Sequence, residues 1–274
     1  MKKIFVLIHL FIALSLSAQD LINEEELKNA LSMIEEARTA ENDSLRIALA
    51  DKAFDTFCSL VYEDDHMNYQ FQNINPVSVL TSPDKLFRIF TWGLQLSDGN
   101  YKYYGLAEYN VHGDVLTATL YDLSDKTSDP AHADMQAGNW YGAIYYDIVQ
   151  VGSKKSHTYA LAGWDGGDLF VNHKVLEQVS ISLEDGGGMR FGGQFVNERN
   201  RSCERLIFEF TERAVMSLRY DKKQKMFVAD HLSVPSEYNG DPKFSGPDGS
   251  FDGYYFEDGR WHYVPDIDIK GARF

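Results

Sequence analysis

In the stretch LAGWDGGDLF, Trp164 stands directly before Asp165, and Asp168 follows after two glycines. An indole beside two carboxylates suits sugar binding, and two carboxyl groups roughly 5 to 10 Å apart across a glycosidic bond can hydrolyse it. The same residues also make a strand, a tight Asp-Gly-Gly turn and a core tryptophan, and this plainer reading is preferred. A second stretch, GPDGSFDGYYFEDGRWHYV from Gly246 to Val264, has the donor spacing of half a calcium loop. Asp248, Ser250 and Asp252 occupy the first, third and fifth positions and Gly253 the sixth. The twelfth position should be a bidentate glutamate, but it is Gly259, so an EF-hand is excluded. A looser calcium site recruiting Asp241, Glu257 or Asp258 is compatible with the spacing, and calcium is the one cofactor the chain suggests. Asp-Gly pairs are first of all turn formers. The segment is therefore expected to hold two successive Asp-Gly turns, the second closing a C-terminal hairpin at Asp258-Gly259.

Other chemistry finds little support. No nucleophile elbow, phosphate loop or zinc helix motif occurs, and the glycines from 186 to 193 miss the dinucleotide fingerprint because Phe191 takes the last glycine's place. The histidines from His66 to His262 are dispersed with no ligand spacing. Glu63, Asp64, Asp65 and His66 read as the solvated exit of a helix rather than a metal site. Cys58 and Cys203 have two readings: one disulfide, which an exporting compartment permits, or two separate buried thiols.

These residues need elements to position them. The opening MKKIFVLIHLFIALSLSAQ has two lysines, an apolar run from Ile4 to Leu16, and small residues ending at Ala18. That is the pattern of a secretory signal peptide over 1–18, too short to anchor in a bilayer, and no cysteine follows to carry a lipid. No later stretch reaches the roughly 18 apolar residues of a membrane helix. A net charge of −15, more negative still once Lys2 and Lys3 are removed, repels nucleic acid and anionic lipid.

Over 19–66 the apolar residues recur at helical spacing, with Leu27, Ala30, Leu31, Ile34 and Ala37 on one stripe and Leu45, Leu49, Ala53, Phe57 and Leu60 on the next. Glu24 to Glu26 suit the first helix's N-terminus, and Ser44 is placed to cap the second. From 67 to 274 the signals are strands and turns. FRIFTW, YKYYGLAEY, VLTATLYDL, WYGAIYYDIV, RLIFEF, AVMSLRY and GRWHYV are rich in β-branched and aromatic residues. Asp98-Gly99 suits a hairpin turn. Leu123 to Asn139 reads as a long surface loop, and Glu184 to Arg201 as a glycine-dense one. The fold class is α+β, mostly β: a short helical hairpin followed by an antiparallel β-meander closed as a barrel or sandwich, with a partial propeller as the runner-up.

The segments TSPDKLFRIFTWGLQLSDGNYKYYGL, NWYGAIYYDIV, YALAGWDGGD, AVMSLRYD and GPDGSFDGYYFEDGRWHYVPDIDI resemble an uncharacterised family of signal-peptide-bearing proteins of Gram-negative bacteria. That resemblance implies export and a single evolutionary unit; it supplies no activity and no site residue. The sequence thus leads to an exported protein, periplasmic, associated with the outer membrane or secreted. The first expectation for its work is non-enzymatic binding of a ligand or envelope protein, with Trp164, Asp165 and Asp168 as ligand-binding candidates. The alternatives are a glycan-active or other hydrolase using Asp165 and Asp168 or the C-terminal acids, and an accessory subunit that docks through its helices.

Overall fold

The computed structural model describes residues 22–62, 67, 69–153, 155–184 and 187–269. The leader and the Glu63–His66 run lie outside the described residues. Helix α1 (Glu24–Thr39) starts at Asn23, whose side chain accepts the Glu26 N–H at 3.2 Å. Helix α2 (Asp43–Tyr62) starts one residue before the expected cap: Asn42, not Ser44, accepts the Leu45 N–H at 3.0 Å. Both helices bury their apolar stripes, Leu27, Ala30, Ile34 and Ala37 on one and Ala53, Phe57 and Leu60 on the other. Among the described residues no helix is long and apolar enough to cross a membrane.

The β region is built from antiparallel meanders that do not close into a barrel. The first sheet runs β1 (Ser78–Thr81), β2 (Phe87–Gln95), β3 (Tyr101–Val111) and β4 (Asp114–Tyr121) in chain order. The middle sheet orders β5 (Met135–Gln136), β9 (Gly188–Phe191), β8 (Val171–Ser182), β7 (Thr158–Asp165) and β6 (Ile144–Val151) side by side. Strands β10 (Phe195–Val196) and β11 (Ser202–Cys203) pair with each other, and β12 (Leu206–Thr211) joins the middle sheet along the first half of β8. The last sheet is β13 (Leu218–Asp221), β14 (Met226–Ser233), β15 (Gly246–Glu257) and β16 (Arg260–Val264).

Three apolar cores show how these layers stack. Phe57 of α2 packs with Phe90 and Trp92 of β2. The other parity of the same strand, Phe87 and Ile89, packs with Tyr159, Leu161 and Val175 of the middle sheet. Ala160, Ala162 and Leu176, on the middle sheet's opposite face, meet Phe227, Tyr254 and Trp261 of the last sheet. The first and middle sheets are therefore covered on both faces. Period-2 alternation survives in them as a choice of core rather than as a contrast of inside and outside.

Three expectations need correcting. Leu123 to Asn139 is not a free surface loop: Met135 is buried, and the carbonyls of Pro130, Ala131 and Ala133 accept hydrogen bonds from Glu204 and Arg205. Glu184 to Arg201 carries β9 and β10. In DGSFDG there is no turn at Asp252-Gly253, which sits within β15 opposite Ala229 and Val228. Glycine is needed there for close approach, because a Cβ on Gly253 would lie 2.6 Å from the Met226 sulfur. The turn at Asp258-Gly259 forms as expected and joins β15 to β16, with both residues at positive φ.

Cys58 and Cys203 are free thiols in different cores, the first beneath the helices and the second between the middle and last sheets. Burial pushes the Cys58 thiol up to about 12 and the Cys203 thiol up to about 11, so both stay protonated and inert at neutral pH.

Candidate functional site

Strand register builds the site. Asp165 ends β7 directly opposite His173 of β8, and His173 lies opposite Glu209 of β12, so the three form one row across three strands. Directly opposed residues share a face of the sheet. Tyr103 reaches this row from β3 of the first sheet, and Tyr141 reaches it from the segment before β6.

Asp165 is 8 % exposed and its carboxylate is fully engaged. One oxygen accepts the Tyr103 hydroxyl at 2.7 Å and the Gly167 N–H at 2.9 Å. The other accepts the Tyr141 hydroxyl at 2.6 Å and faces His173 Nδ1 at 3.1 Å. The far ring nitrogen of His173, Nε2, lies 3.7 Å from a Glu209 carboxylate oxygen. The Asp-Gly-Gly turn fits this assembly closely. Gly167 has φ +55°, and a Cβ there would lie 2.4 Å from the Val171 carbonyl.

The electrostatics follow from burial and these contacts. Burial and the Asp165 carboxylate hold the Tyr103 and Tyr141 phenols well above the ordinary tyrosine range, so both remain donors. Burial alone would raise Asp165, but the bond and charge of His173 and the bonds from Tyr141 and Gly167 bring it below the usual carboxylate range. For His173, burial acts downward, and the bonds and charges of Asp165 and Glu209 outweigh it and lift the imidazole to about 9.

A pH dependence with a definite sign results. The folded imidazole titrates above its unfolded value of about 6.5. Its contribution to stability is therefore complete below that value and is lost as pH rises through about 9. The depressed Asp165 contributes above the ordinary carboxylate range and loses that contribution as pH falls below it. Urea midpoints are expected to fall between about pH 6.5 and pH 9 in the wild type and to fall less in His173→Gln. A wild-type midpoint that climbs over that interval contradicts the assignment.

The row forms one wall of a cleft of about 420 Å³, whose other walls carry Asn100, Tyr101, Ser124, Asp125 and Asp168. Burial, and after it the charges of Asp122, Asp165 and Asp98, raise Asp125, with Lys126 acting against them. Among the described residues the lining contains no lysine and no arginine, and its one cationic group is His173. A second cleft, of about 550 Å³, shares Ile207 and Glu209 with the first and extends to Phe208, Asp252 and Tyr254.

The expected ligand residues take different parts. Asp165 is the most buried carboxylate of the first cleft. Asp168 lines it as well, but one of its oxygens accepts the N–H groups of Phe170 and Val171 and so shapes the β7–β8 turn. Trp164 does not line the cleft; it is half-buried with its ring edge-on to Tyr101 at 5.3 Å. No family model, curated protein or solved structure matches this chain. The reading of the cleft therefore rests on its own geometry.

The C-terminal candidates do not converge. Asp248 accepts both the N–H and the hydroxyl of Ser250, at 3.0 and 2.7 Å, while the buried Asp252 faces His231 Nδ1 at 2.8 Å. Among the described residues no three histidine, cysteine, aspartate or glutamate side chains are grouped to hold a metal ion.

Beneath the cleft lies a second polar network that the sequence did not suggest. Arg205 and Glu177 are wholly buried and bond through Nε at 2.5 Å. Tyr145 donates to the other Glu177 oxygen and accepts the Trp140 indole N–H at 2.9 Å. Arg205 also donates to the carbonyls of Pro130, Ala133 and Phe191, which ties the 123–139 segment to the floor of the site. A hint was present in RLIFEF, where Arg205 and Glu209 share the parity opposite Leu206, Phe208 and Phe210. Of that parity Arg205 is buried, Ile207 is half-buried and Glu209 is exposed in the cleft.

Proposed function

We propose that this chain is an exported, non-catalytic binding protein whose tyrosine-lined cleft takes a ligand bearing an organic cation, an amine or a guanidinium. The observation that carries this reading is the composition of the walls. Asp125, Asp168 and Glu209 stand around Tyr101, Tyr103 and Tyr141, and the one cationic side chain among the described lining residues, His173, is shared between Asp165 and Glu209. A guanidinium or ammonium group satisfies such carboxylates by charge-assisted hydrogen bonds.

Binding is favoured over hydrolysis by the state of the acids. A glycosidase needs two carboxyl groups free to flank the bond it cleaves. Asp165 has donors on both oxygens, and Asp168 holds a turn. With its imidazole lifted to about 9, His173 is already protonated at neutral pH and is a poor general base. Export draws support from the charged and apolar pattern of the leader.

The test is calorimetric titration with arginine amide and lysine amide, set beside glucose and N-acetylglucosamine. Saturable binding of the two cations, with none of the sugars, is the expected result. Sugar binding accompanied by release of reducing ends from a glycan favours the hydrolase reading instead.

A further inference from the structure

Strand β12 is paired on one side only, with β8. Along an antiparallel strand, alternate residues turn both N–H and C=O to the same edge. Thr211 sends its N–H away from β8 to the Ser245 carbonyl at 2.9 Å, and Arg205 sends its own to Ala131 at 3.3 Å. Ile207 and Glu209 lie between them in the same phase, so their backbone groups face the same open edge. Among the described residues no backbone or side-chain partner meets them there. Between these tied residues, from Leu206 to Phe210, the edge runs about 13 Å at about 3.3 Å per residue.

The open edge lies where the two clefts meet, since Ile207 and Glu209 line both. Sheet edges are commonly blunted by lysine, proline or a bulge. The run LIFEF has no proline or bulge and a single charge, Glu209, and its pairing with β8 is unbroken. The strand is tied at its two ends, with the turn Pro242–Phe244 packed beside it ahead of Ser245, and the backbone groups of Ile207 and Glu209 between the ties face the cleft.

We infer that an extended peptide of a partner protein adds to β12 as a further strand of the middle sheet, with arginine or lysine at alternate positions. Strand addition takes its affinity from main-chain hydrogen bonds and its specificity from pockets for alternate side chains. Here the two sets of side chains enter unlike clefts. One set reaches the wall of Asp125, Asp168 and Glu209, where carboxylates outnumber the single His173 imidazolium. The other meets Phe208 and Tyr254, an apolar pair in edge-on contact at 5.6 Å. The inference rests on the organic-cation reading of the cleft and names the form in which that cation arrives.

The probe is the peptide Ac-Thr-Arg-Val-Arg-Thr-NH2, compared with arginine amide and with the same peptide N-methylated at both arginines, whose N–H groups face Ile207 and Glu209 in an antiparallel register. Binding is followed by amide hydrogen exchange and by titration of the full mature chain. The peptide is expected to bind at least tenfold tighter than arginine amide and to slow exchange at Ile207 and Glu209. N-methylation is expected to lower its affinity at least tenfold. Ile207→Pro removes an edge N–H that makes no ladder bond, so the variant should keep the wild-type far-ultraviolet spectrum and lose the peptide. The N-methylated peptide gives the same information without altering the protein. If arginine amide binds but the peptide binds no tighter and leaves both amides unprotected, strand addition is overturned while the cationic cleft stands. If neither binds, both readings fall. Concentration-dependent dimerisation that protects the same amides without peptide overturns the partner in favour of a second copy of this chain.

Discussion

Arg205→Met is expected to destabilise the protein by about 3–5 kcal/mol, the cost of breaking a buried ion pair from one side. The substitution leaves the wholly buried Glu177 carboxylate with Tyr145 as its remaining donor. It also strips the carbonyls of Pro130, Ala133 and Phe191 of their partner. Each buried acceptor left without a donor costs roughly 1–3 kcal/mol of desolvation. Arg205→Lys should fare little better, because one ammonium cannot spread its donors over Glu177 and three carbonyls as a planar guanidinium does. Urea unfolding measures the loss. The loss should come with faster proteolysis within 123–139, the segment that Arg205 ties down. A loss below about 1 kcal/mol would mean that the network is not what holds this segment.

The second large effect is expected from Asp165→Asn. An amide offers one acceptor oxygen where the carboxylate offered two, and it cannot neutralise the His173 imidazolium. Tyr103, Tyr141 and the Gly167 N–H then compete for that oxygen, and the amide's NH₂ group faces a donor. Hydrogen bonds to a charged group contribute roughly 1.5–3 kcal/mol each, so a destabilisation of about 3 kcal/mol is expected at pH 7. In the same variant His173 loses the contact that lifts it, so its imidazole, followed by proton chemical shifts, should titrate well below the wild-type value of about 9. An unchanged His173 titration would place the source of its shift in Glu209 rather than Asp165.

The parts of the fold that depend on local periodicity were legible in the sequence. The helical hairpin showed in the spacing of Leu27, Ala30, Ile34 and Ala37, and the strands showed in their aromatic and β-branched runs. The hairpins at Asp98-Gly99 and Asp258-Gly259 followed from turn chemistry. What was hidden depends on register and on burial of both faces. His173 and Glu209 join Asp165 only because β7, β8 and β12 lie side by side, and no local pattern encodes that pairing. Strand β8 itself is obscured because polar Asn172, His173, Lys174, Glu177 and Gln178 interrupt its apolar residues, and Glu177 is polar for the sake of a distant arginine. The 123–139 segment has few apolar side chains, but its order comes from backbone carbonyls, which composition does not reveal. Asp252-Gly253 has the letters of a turn, yet the glycine answers a neighbouring sulfur across the sheet.

The central claim, that the cleft is a binding site for an organic cation, is tested most directly by titrating arginine amide into the wild type and into Glu209→Gln at low and at high salt. The account predicts saturable binding to the wild type, at least tenfold weaker binding to the variant, and weakening by salt that is larger in the wild type. Equal affinities for the two proteins, or equal affinity for arginine amide and an uncharged isostere, would contradict it.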